Sequence, residues 1–311
     1  MYSQNNITYS VIIPAFNSND TIFQLCEEII ATFNSIHTTF EIIIVNDGGK
    51  DVTWEKINNV FNQLNCKISI IRLSRNYGQH NATLCGIEHA KGDFIITIDD
   101  DLEVHPKEML KLINEYKTGK AEVVYGIFKN KKQSLIRKIG GGVIKKSGKY
   151  LMNSFGKGSS FRLFTITIAH KILEHSQSFI YIDELLLWYT NNISFVEVEH
   201  HVHKNQKSRY SFFSLLNMSI NITTNYTALP LKLITYLGLI ASFFSFLLGV
   251  YFVYRKLFKD VPIGYTSIVV AVLFSASLIL FSLGILGQYI FKLYQIQNKK
   301  PTFFIQQKIS K

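Results

Sequence analysis

The sequence lacks the short motifs that mark several common classes of protein. Its three cysteines, Cys26, Cys66 and Cys85, form no CxxC pair and are odd in number. They therefore indicate neither a zinc knuckle nor a disulfide framework, and they favour a reduced, cytosolic setting. No GxGxxG follows the first predicted strand and no GxxxxGKS/T occurs, which argues against a Rossmann dehydrogenase and a P-loop nucleotidase. Residues 1–8 are polar, so no signal peptide is predicted and the first 230 residues are expected to remain cytosolic.

Acidic side chains are nearly absent from the C-terminal part of the chain. Residues Leu231–Lys311 contain nine Lys/Arg and one acid, which accounts for +8 of the net charge of +11. This excess lies beside two uncharged runs, Leu233–Tyr254 and Val261–Phe291, so the basic balance does not favour nucleic-acid binding. At about 1.5 Å per residue each run can cross a hydrocarbon layer of roughly 30 Å. We predict an antiparallel transmembrane hairpin with Arg255–Asp260 as its outer loop; two buried core helices are the less favoured alternative.

The first half of the chain alternates between strand and helix patterns. Short β-branched runs predict strands at Tyr9–Ala15, Phe40–Val45, Lys67–Leu73, Asp93–Ile98 and Ala121–Tyr125. Helical stretches lie between them, at Thr21–Phe33, Asp51–Asn62, Gln79–Ala90 and Pro106–Lys117. This alternation predicts an α/β fold with a mostly parallel sheet and helices on both faces. Ligands of such sheets bind beyond the carboxyl ends of the strands.

An acidic cluster follows the fourth predicted strand. Asp99 and Asp101 are two residues apart, and Glu103 offers a further oxygen. Adjacent carboxylates raise one another's pKa unless a cation is present, and Mg²⁺ or Mn²⁺ prefers such oxygen ligands and bridges to phosphates. The cluster therefore predicts a metal site, with a solvated acidic turn as the alternative.

A basic stretch without any acid runs from Val123 to Leu173. Its densest part, Lys129–Lys149, interleaves lysines and an arginine with apolar residues and is therefore amphipathic. Such a stretch suits anionic lipid headgroups or an anionic lipid substrate. A solvated charged face is the alternative.

Several motifs in a fixed order resemble those of glycosyltransferase family 2, specifically its polyprenyl-phosphate glycosyltransferases, which include undecaprenyl-phosphate transferases of formamido-arabinose and of glucose. The resemblance covers nearly the whole chain. The motifs that carry it are VIIPAFN (11–17), VNDGGKD (45–51), RNYGQHNATLCGI (75–87), IDDDLEVHP (98–106), QSLIRK (133–138), GSSFRLF (158–164), KSRYSF (207–212) and GILGQYIFKLY (284–294).

The resemblance implies a GT-A type fold and a role for each matched residue. It implies that the donor nucleotide is bordered by Pro14, Asn17 and Asp47, with Ser208, Arg209 and Tyr210 closing over its phosphates. It implies Asp99 and Asp101 as a DxD metal motif, with Glu103 as a further ligand of Mg²⁺ or Mn²⁺. The acceptor phosphate would contact Arg137, Lys138 and Arg162, and Asp99, Asp101 and Arg137 would be the catalytic set.

The sequence departs from the family pattern at three positions. Ser160 stands where several glucosyl-transferring relatives have an Asp thought to be catalytic, His203 where Arg is frequent, and Gln206 where Gly is frequent. The first departure puts a carboxylate base in doubt. The nucleophile of this reaction is a phosphate oxygen whose second pKa is near 6, so a strong base is dispensable.

Together these observations predict an inverting, metal-dependent enzyme in the bacterial inner membrane. It would transfer one sugar from a nucleotide donor, with UDP favoured, to undecaprenyl phosphate for lipopolysaccharide or other envelope glycan modification. The expected segments are a cytosolic GT-A domain (1–200), an interfacial segment (201–230), two transmembrane helices (231–291) and a basic tail (292–311), in a tetramer by resemblance. A processive polysaccharide synthase, disfavoured by the absence of QxxRW, and a non-catalytic lipid carrier or assembly subunit are the alternatives.

Overall fold

The computed structural model describes residues 7–18, 21–48, 51–128, 159–175, 181–199, 265–297 and 301–311, with isolated positions between 236 and 258. The chain divides into two compact units. One comprises Met1–Lys207 together with Pro301–Lys311, and the other Ser208–Lys300.

The first unit is built on one sheet. Its strands are β1 Tyr9–Ala15, β2 Phe40–Asn46, β3 Ile68–Leu73, β4 Phe94–Thr97, β5 Val123–Phe128, β6 Arg162–Thr165, β7 Ile193–Val198 and β8 Ile305–Ser310. They form one eight-stranded sheet in the order β7-β5-β6-β4-β1-β2-β3-β8. Neighbours are parallel except at β3–β8, β4–β6 and β5–β6. The sheet is therefore mixed, and its parallel part contains the first four strands as predicted.

Helices cover both faces of the sheet. Their bounds in this unit are α1 Thr21–Ser35, α2 Asp51–Gln63, α3 Gln79–His89, a 3-10 turn Pro106–Glu108, α4 Met109–Lys117, and two further helices, Ile166–Leu173 and Ile182–Tyr189. Val11 and Ile13 of β1 pack in one core with Leu25 and Ile29 of α1. Ile12, which points to the other face, lies under Gly86 of α3, where a Cβ would come within 2.4 Å of its side chain. The α/β prediction is confirmed.

The parallel strands bring their carboxyl ends to one edge of the sheet. β1 and β2 are in register from Tyr9 opposite Phe40 to Ala15 opposite Asn46, and every residue of β1 is buried. The segments that follow β1, β2, β3 and β4 consequently meet at this edge. We call it the catalytic edge below, because the acidic cluster lies on it.

The C-terminal residues differ from the expected basic tail. Ile305–Ser310 forms β8, which pairs antiparallel with β3 at the end of the sheet. The backbone amide and carbonyl of Lys311 bond reciprocally to Ile68, and the amide of Ser74 donates to the carbonyl of Phe304 at 3.0 Å. Both ends of the unit Ser208–Lys300 therefore connect to the same folded unit.

The second unit contains a long apolar helix, Tyr265–Gln297, of 33 residues. Within it Phe274–Phe291 has a mean hydropathy of 1.7 and is entirely unburied, so by length and composition this helix can cross a membrane. The other expected span, Leu233–Tyr254, lies mostly outside the described residues. The isolated positions described there, such as Tyr236 and Tyr251, are helical.

Candidate active site

The acidic cluster lies just beyond β4 on the catalytic edge. Ile98 continues the strand, since its amide donates to the carbonyl of Ile12 at 3.1 Å. The chain then turns at Leu102, a buried residue with a left-handed backbone (φ 57°). The amide of Glu103 donates to Asp101 Oδ1 at 3.1 Å within this turn. The cluster is thus a defined turn that projects from a buried strand.

Asp99 has a hydrogen-bond donor on each of its carboxylate oxygens. Gln79 Nε2 donates to Oδ1 at 2.6 Å, and Ser160 Oγ donates to Oδ2 at 2.5 Å. Burial raises the pKa of Asp99 to about 7, the Ser160 hydrogen bond opposes this rise, and the charges of Asp101 and Asp100 add to it. This carboxyl group is oriented by neutral groups, and its burial disfavours its charged form.

Asp100 faces a different segment. Its Oδ2 accepts a hydrogen bond from the hydroxyl of Ser18, and its backbone carbonyl accepts one from Thr21 Oγ1 at 2.8 Å. Ser18 is buried and follows Asn17, which has a left-handed backbone (φ 50°). The middle aspartate therefore ties the acidic turn to the segment between β1 and α1.

Asp47 joins two further segments of the catalytic edge. Asp47 is 2% exposed, and its carboxylate accepts hydrogen bonds from the backbone amides of Tyr77, at 2.7 Å, and Gly78, at 2.8 Å. Burial raises its pKa and these two hydrogen bonds lower it. Gly48 (φ 63°) approaches Arg75 so closely that a Cβ would lie 2.0 Å from its carbonyl carbon, so only glycine fits this turn.

The other residues assigned to the donor on this edge come from β1 and the segment after it. Pro14, in β1, pairs with Val45 of β2, and Asn17 immediately precedes Ser18. The structure thus gathers Asn17, Asp47 and Asp99 on one edge of the sheet.

Arg162 requires a correction, because the structure buries the residue expected to contact the acceptor phosphate. Its side chain is 3% exposed and forms an ion pair with Asp183. The hydroxyl of Tyr125 donates to the same Asp183 oxygen at 3.0 Å, and Arg162 lies opposite Tyr125 on β5 and Thr97 on β4. A guanidinium that is buried and paired in this way is not presented to an acceptor at the surface.

A histidine lies beside this buried pair. The ring of His80 packs edge-on against Tyr181 with centroids 4.6 Å apart. Burial lowers the pKa of His80 to about 4; the charge of Asp183 opposes that shift and the charge of Arg162 adds to it. We call the buried Tyr125, Arg162 and Asp183, together with the half-buried His80 and Tyr181 beside them, the buried network.

The acidic cluster fits a divalent cation only in part. Among the residues that the structure describes, no group of three His, Cys, Asp or Glu side chains is arranged to hold a metal ion, so Asp99, Asp101 and Glu103 do not form a complete ligand set. Two neighbouring carboxylates nevertheless match the way Mg²⁺ is bound in many phosphate-handling sites, through one or two carboxylates plus substrate phosphates. The raised pKa of Asp99 agrees with a site that a cation would complete.

Other assigned residues lie outside the described part of the chain. These are Arg137, Lys138, Ser208, Arg209 and Tyr210, and their assignments remain predictions. Ser18, Thr21 and Gln79 were not predicted as site residues from the sequence. Gln79 had a usable signal, because it follows Gly78 at the start of a helix that itself follows a strand ending on the catalytic edge.

Comparison with known proteins agrees with this geometry. An uncharacterized glycosyltransferase of Synechocystis sp. is 28% identical over 311 residues, which cover 96% of this chain and 95% of that protein. Undecaprenyl-phosphate 4-deoxy-4-formamido-L-arabinose transferase of Shewanella sediminis is 27% identical over 314 residues, covering 98% and 93%. The enzyme of the same name from Pectobacterium carotovorum is 28% identical, covering 97% and 93%.

The family assignment rests on a match to a family profile. The profile of the family described as Glycosyl transferase family 2 matches residues 10–172, which is more than half of the chain. That match begins in β1 and includes the whole catalytic edge, from Asn17 through Asp47 to Asp101. The chain belongs to glycosyl transferase family 2.

Proposed function

We propose that this protein transfers a single sugar from a nucleotide donor to undecaprenyl phosphate, giving a polyprenyl-phosphate sugar. The observation that carries the proposal is the meeting of Asp47 and the Asp99–Asp101 turn on one edge of a glycosyltransferase sheet. The acceptor is argued from relatives that match over nearly the full chain and are named for transfer to undecaprenyl phosphate. The product would serve in modifying lipopolysaccharide or another envelope glycan.

The donor would bind along the catalytic edge. Asn17 and Asp47 would border the nucleotide, and Pro14 would shape the strand end beneath it. Asp47 is fixed by the amides of Tyr77 and Gly78, which makes this part of the edge rigid before any ligand arrives. A uridine diphosphate donor is the favoured form, with Ser208, Arg209 and Tyr210 closing over its phosphates.

Asp99 and Asp101 would hold Mg²⁺ or Mn²⁺ together with the donor diphosphate. When bound, such an ion neutralises the charge that develops on the leaving nucleotide diphosphate. Asp99 contributes a carboxylate that Gln79 and Ser160 orient, and Asp100 anchors the turn through Ser18.

The reaction would proceed by displacement at the anomeric carbon with inversion. A phosphate acceptor has a second pKa near 6, so it is largely ionised at neutral pH and needs no strong base. Ser160 supplies no base, because its hydroxyl donates a hydrogen bond to Asp99 at 2.5 Å. Arg137 and Lys138 are retained as the groups that hold the acceptor phosphate through charge-assisted hydrogen bonds.

The membrane arrangement follows from connectivity. The unit Ser208–Lys300 leaves the first unit after Lys207 and returns to it at Pro301. Because both ends join one folded unit, any membrane crossing within Ser208–Lys300 must be matched by a second one. We therefore retain the transmembrane hairpin, an inner-membrane location with the first unit in the cytosol, and a homotetramer by resemblance.

The proposal is tested by assaying the full-length protein in detergent with undecaprenyl phosphate and a panel of radiolabelled UDP- and GDP-sugars. We expect label from one donor to appear in the organic phase after solvent extraction, and none when undecaprenol replaces undecaprenyl phosphate. Label in a water-soluble polymer would instead indicate a processive synthase. Failure to transfer label from any donor would contradict the enzymatic proposal and favour a non-catalytic role.

A further inference from the structure

Asp99 differs from an ordinary surface carboxylate in having both oxygens held by donors from separate segments. Gln79 belongs to the first turn of α3, and Ser160 lies just before β6. Their hydrogen bonds, at 2.6 and 2.5 Å, lie at the short end of the ordinary range, so both donors are in close contact with the carboxyl oxygens. A carboxylate fixed at both oxygens cannot rotate about its terminal bond, which is otherwise a broad torsion.

The two donors are themselves fixed by the surrounding fold. The carbonyl of Ser160 accepts a hydrogen bond from the hydroxyl of Thr97, the last residue of β4 and two positions before Asp99. Gln79 follows Gly78, which has a left-handed backbone (φ 92°). The amide of Gly78 donates a hydrogen bond to Asp47 Oδ2 at 2.8 Å. The orientation of Asp99 is thus connected to the strand that carries it and to the carboxylate assigned to the nucleotide.

We propose that Ser160 and Gln79 are positioning residues that hold the Asp99 carboxylate in the orientation required to bind a divalent cation. Each carboxylate oxygen has lone pairs enough to accept one hydrogen bond and still ligate an ion. Hydrogen-bond partners of this kind orient metal-binding carboxylates, and their loss typically costs 10- to 100-fold in metal affinity. The inference rests on the metal role in the proposed function and assigns it two further residues.

This assignment gives the unusual residue at position 160 a distinct role. An aspartate there would present a second carboxylate to Asp99 and oppose its charge. A serine donates a hydrogen bond and adds no charge. Ser160 therefore acts on the reaction through Asp99, not as a base that touches the acceptor.

The experiment measures binding of Mn²⁺ to the full-length protein, by the electron paramagnetic resonance signal of the free ion, with UDP or GDP at fixed concentration. Ser160→Ala and Gln79→Met should each weaken Mn²⁺ binding roughly tenfold or more, since each removes one hydrogen bond to a charged group. Ser160→Thr keeps the hydroxyl and should bind Mn²⁺ within about threefold of the unsubstituted protein. Ser159→Ala is the matched control, because the Ser159 hydroxyl accepts a hydrogen bond from the amide of Phe161, at 3.2 Å, and lies next to Ser160 in the same segment.

Melting temperature and the KM for undecaprenyl phosphate separate positioning from general damage. In Ser160→Ala the KM should be unchanged and the melting temperature should fall by only a few degrees, because this substitution removes only the side-chain hydrogen bond to Asp99. Unaltered Mn²⁺ binding in Ser160→Ala would overturn the proposal. Equal weakening in Ser160→Ala and Ser160→Thr with a lowered melting temperature would also overturn it, by assigning Ser160 a structural role. If the unsubstituted protein binds no Mn²⁺ with either nucleotide, the metal role itself fails, whereas binding without sugar transfer would contradict only the proposed function.

Discussion

Asp99 on the catalytic edge and Asp183 in the buried network are both carboxylates, and the protein holds them by different means. Asp183 forms an ion pair with Arg162 and accepts a hydrogen bond from Tyr125, so the protein itself supplies its countercharge. Asp99 accepts hydrogen bonds from the side-chain amide of Gln79 and the hydroxyl of Ser160, and these neutral groups orient its carboxylate without neutralising its charge. A carboxylate that is compensated from within contributes to the fold. One that is oriented but not neutralised is suited to an external cation.

The largest expected effect is on stability, and it arises in the buried network. Asp183→Asn leaves the Arg162 guanidinium buried without its charge partner, which should cost about 3–5 kcal/mol of the free energy of unfolding. At about 2–4 °C per kcal/mol for a unit of this size, the melting temperature of the full chain in detergent should fall by ~10 °C. The double variant Arg162→Met/Asp183→Leu should lose much less, because apolar replacement of both partners is often nearly neutral. A normal melting temperature with lost activity in Asp183→Asn would instead indicate that Asp183 takes part in the reaction. The contrast with Asp99 would then be wrong.

The next effect is on activity, and it arises on the catalytic edge. Asp101→Asn should reduce turnover about 100-fold or more, equivalent to roughly 2.7 kcal/mol, because one ligand of the cation loses its charge. Its melting temperature should stay within about 2 °C of the unsubstituted protein, since Asn keeps the side-chain oxygen that accepts the hydrogen bond from the amide of Glu103. Excess EDTA should silence the unsubstituted protein and added Mg²⁺ or Mn²⁺ should restore it. Full activity in EDTA would show that the cluster binds no essential ion.

Substitution of Asp100 should have an intermediate effect on activity, because Asp100 anchors the turn and is not assigned as a ligand of the cation. Asp100→Asn keeps an acceptor oxygen for the Ser18 hydroxyl, so we expect a loss of about threefold to tenfold in kcat/KM, mainly through KM for the nucleotide sugar. Ser18→Ala should have a similar effect, and the double variant should be little worse than either single one. Additive losses would show that the two side chains act independently.

The smallest expected effect is on the pH dependence of stability. The pKa of His80 is lowered to about 4 in the folded protein, below its ordinary value of 6.5. The folded state thus binds fewer protons than the unfolded state between these values, so the stability contributed above pH 6.5 is lost as the pH falls toward 4. His80→Gln should flatten part of this fall in melting temperature between about pH 7 and 5. Parallel curves for both proteins would show that His80 does not titrate in this window.

The sequence predicted the central strands well for a physical reason. β1 and β2 are buried on both faces, so they appear as continuous β-branched runs, and their bounds agree to within one residue. β6, β7 and β8 were missed. β6 has only four residues and begins with the buried Arg162. A charged first residue interrupts the apolar run that would predict a strand. β7 and β8 are the end strands of the sheet, and β8 pairs with a strand more than 200 residues earlier, which no local pattern reports.

The placement of the candidate site residues was predicted in part. Asp47, Asp99 and Asp101 were expected at one edge of the sheet because they follow apolar strands, and parallel strands end together. Arg162 was misassigned because a basic residue in an acid-free stretch looks available, and its partner Asp183 is 21 residues away. Gln79 and Ser160 were not connected to Asp99 because their hydrogen bonds depend on how three separate segments meet.

The central claim is that the turn at Asp99–Asp101 binds a divalent cation together with the donor diphosphate. The most direct measurement is anomalous X-ray scattering at the manganese edge from crystals of the full chain grown with Mn²⁺ and UDP. We expect one strong anomalous peak between the carboxylates of Asp99 and Asp101 and the diphosphate. This peak should be absent from crystals of Asp101→Asn. A bound diphosphate with no peak there, or a peak held by other residues, would contradict it.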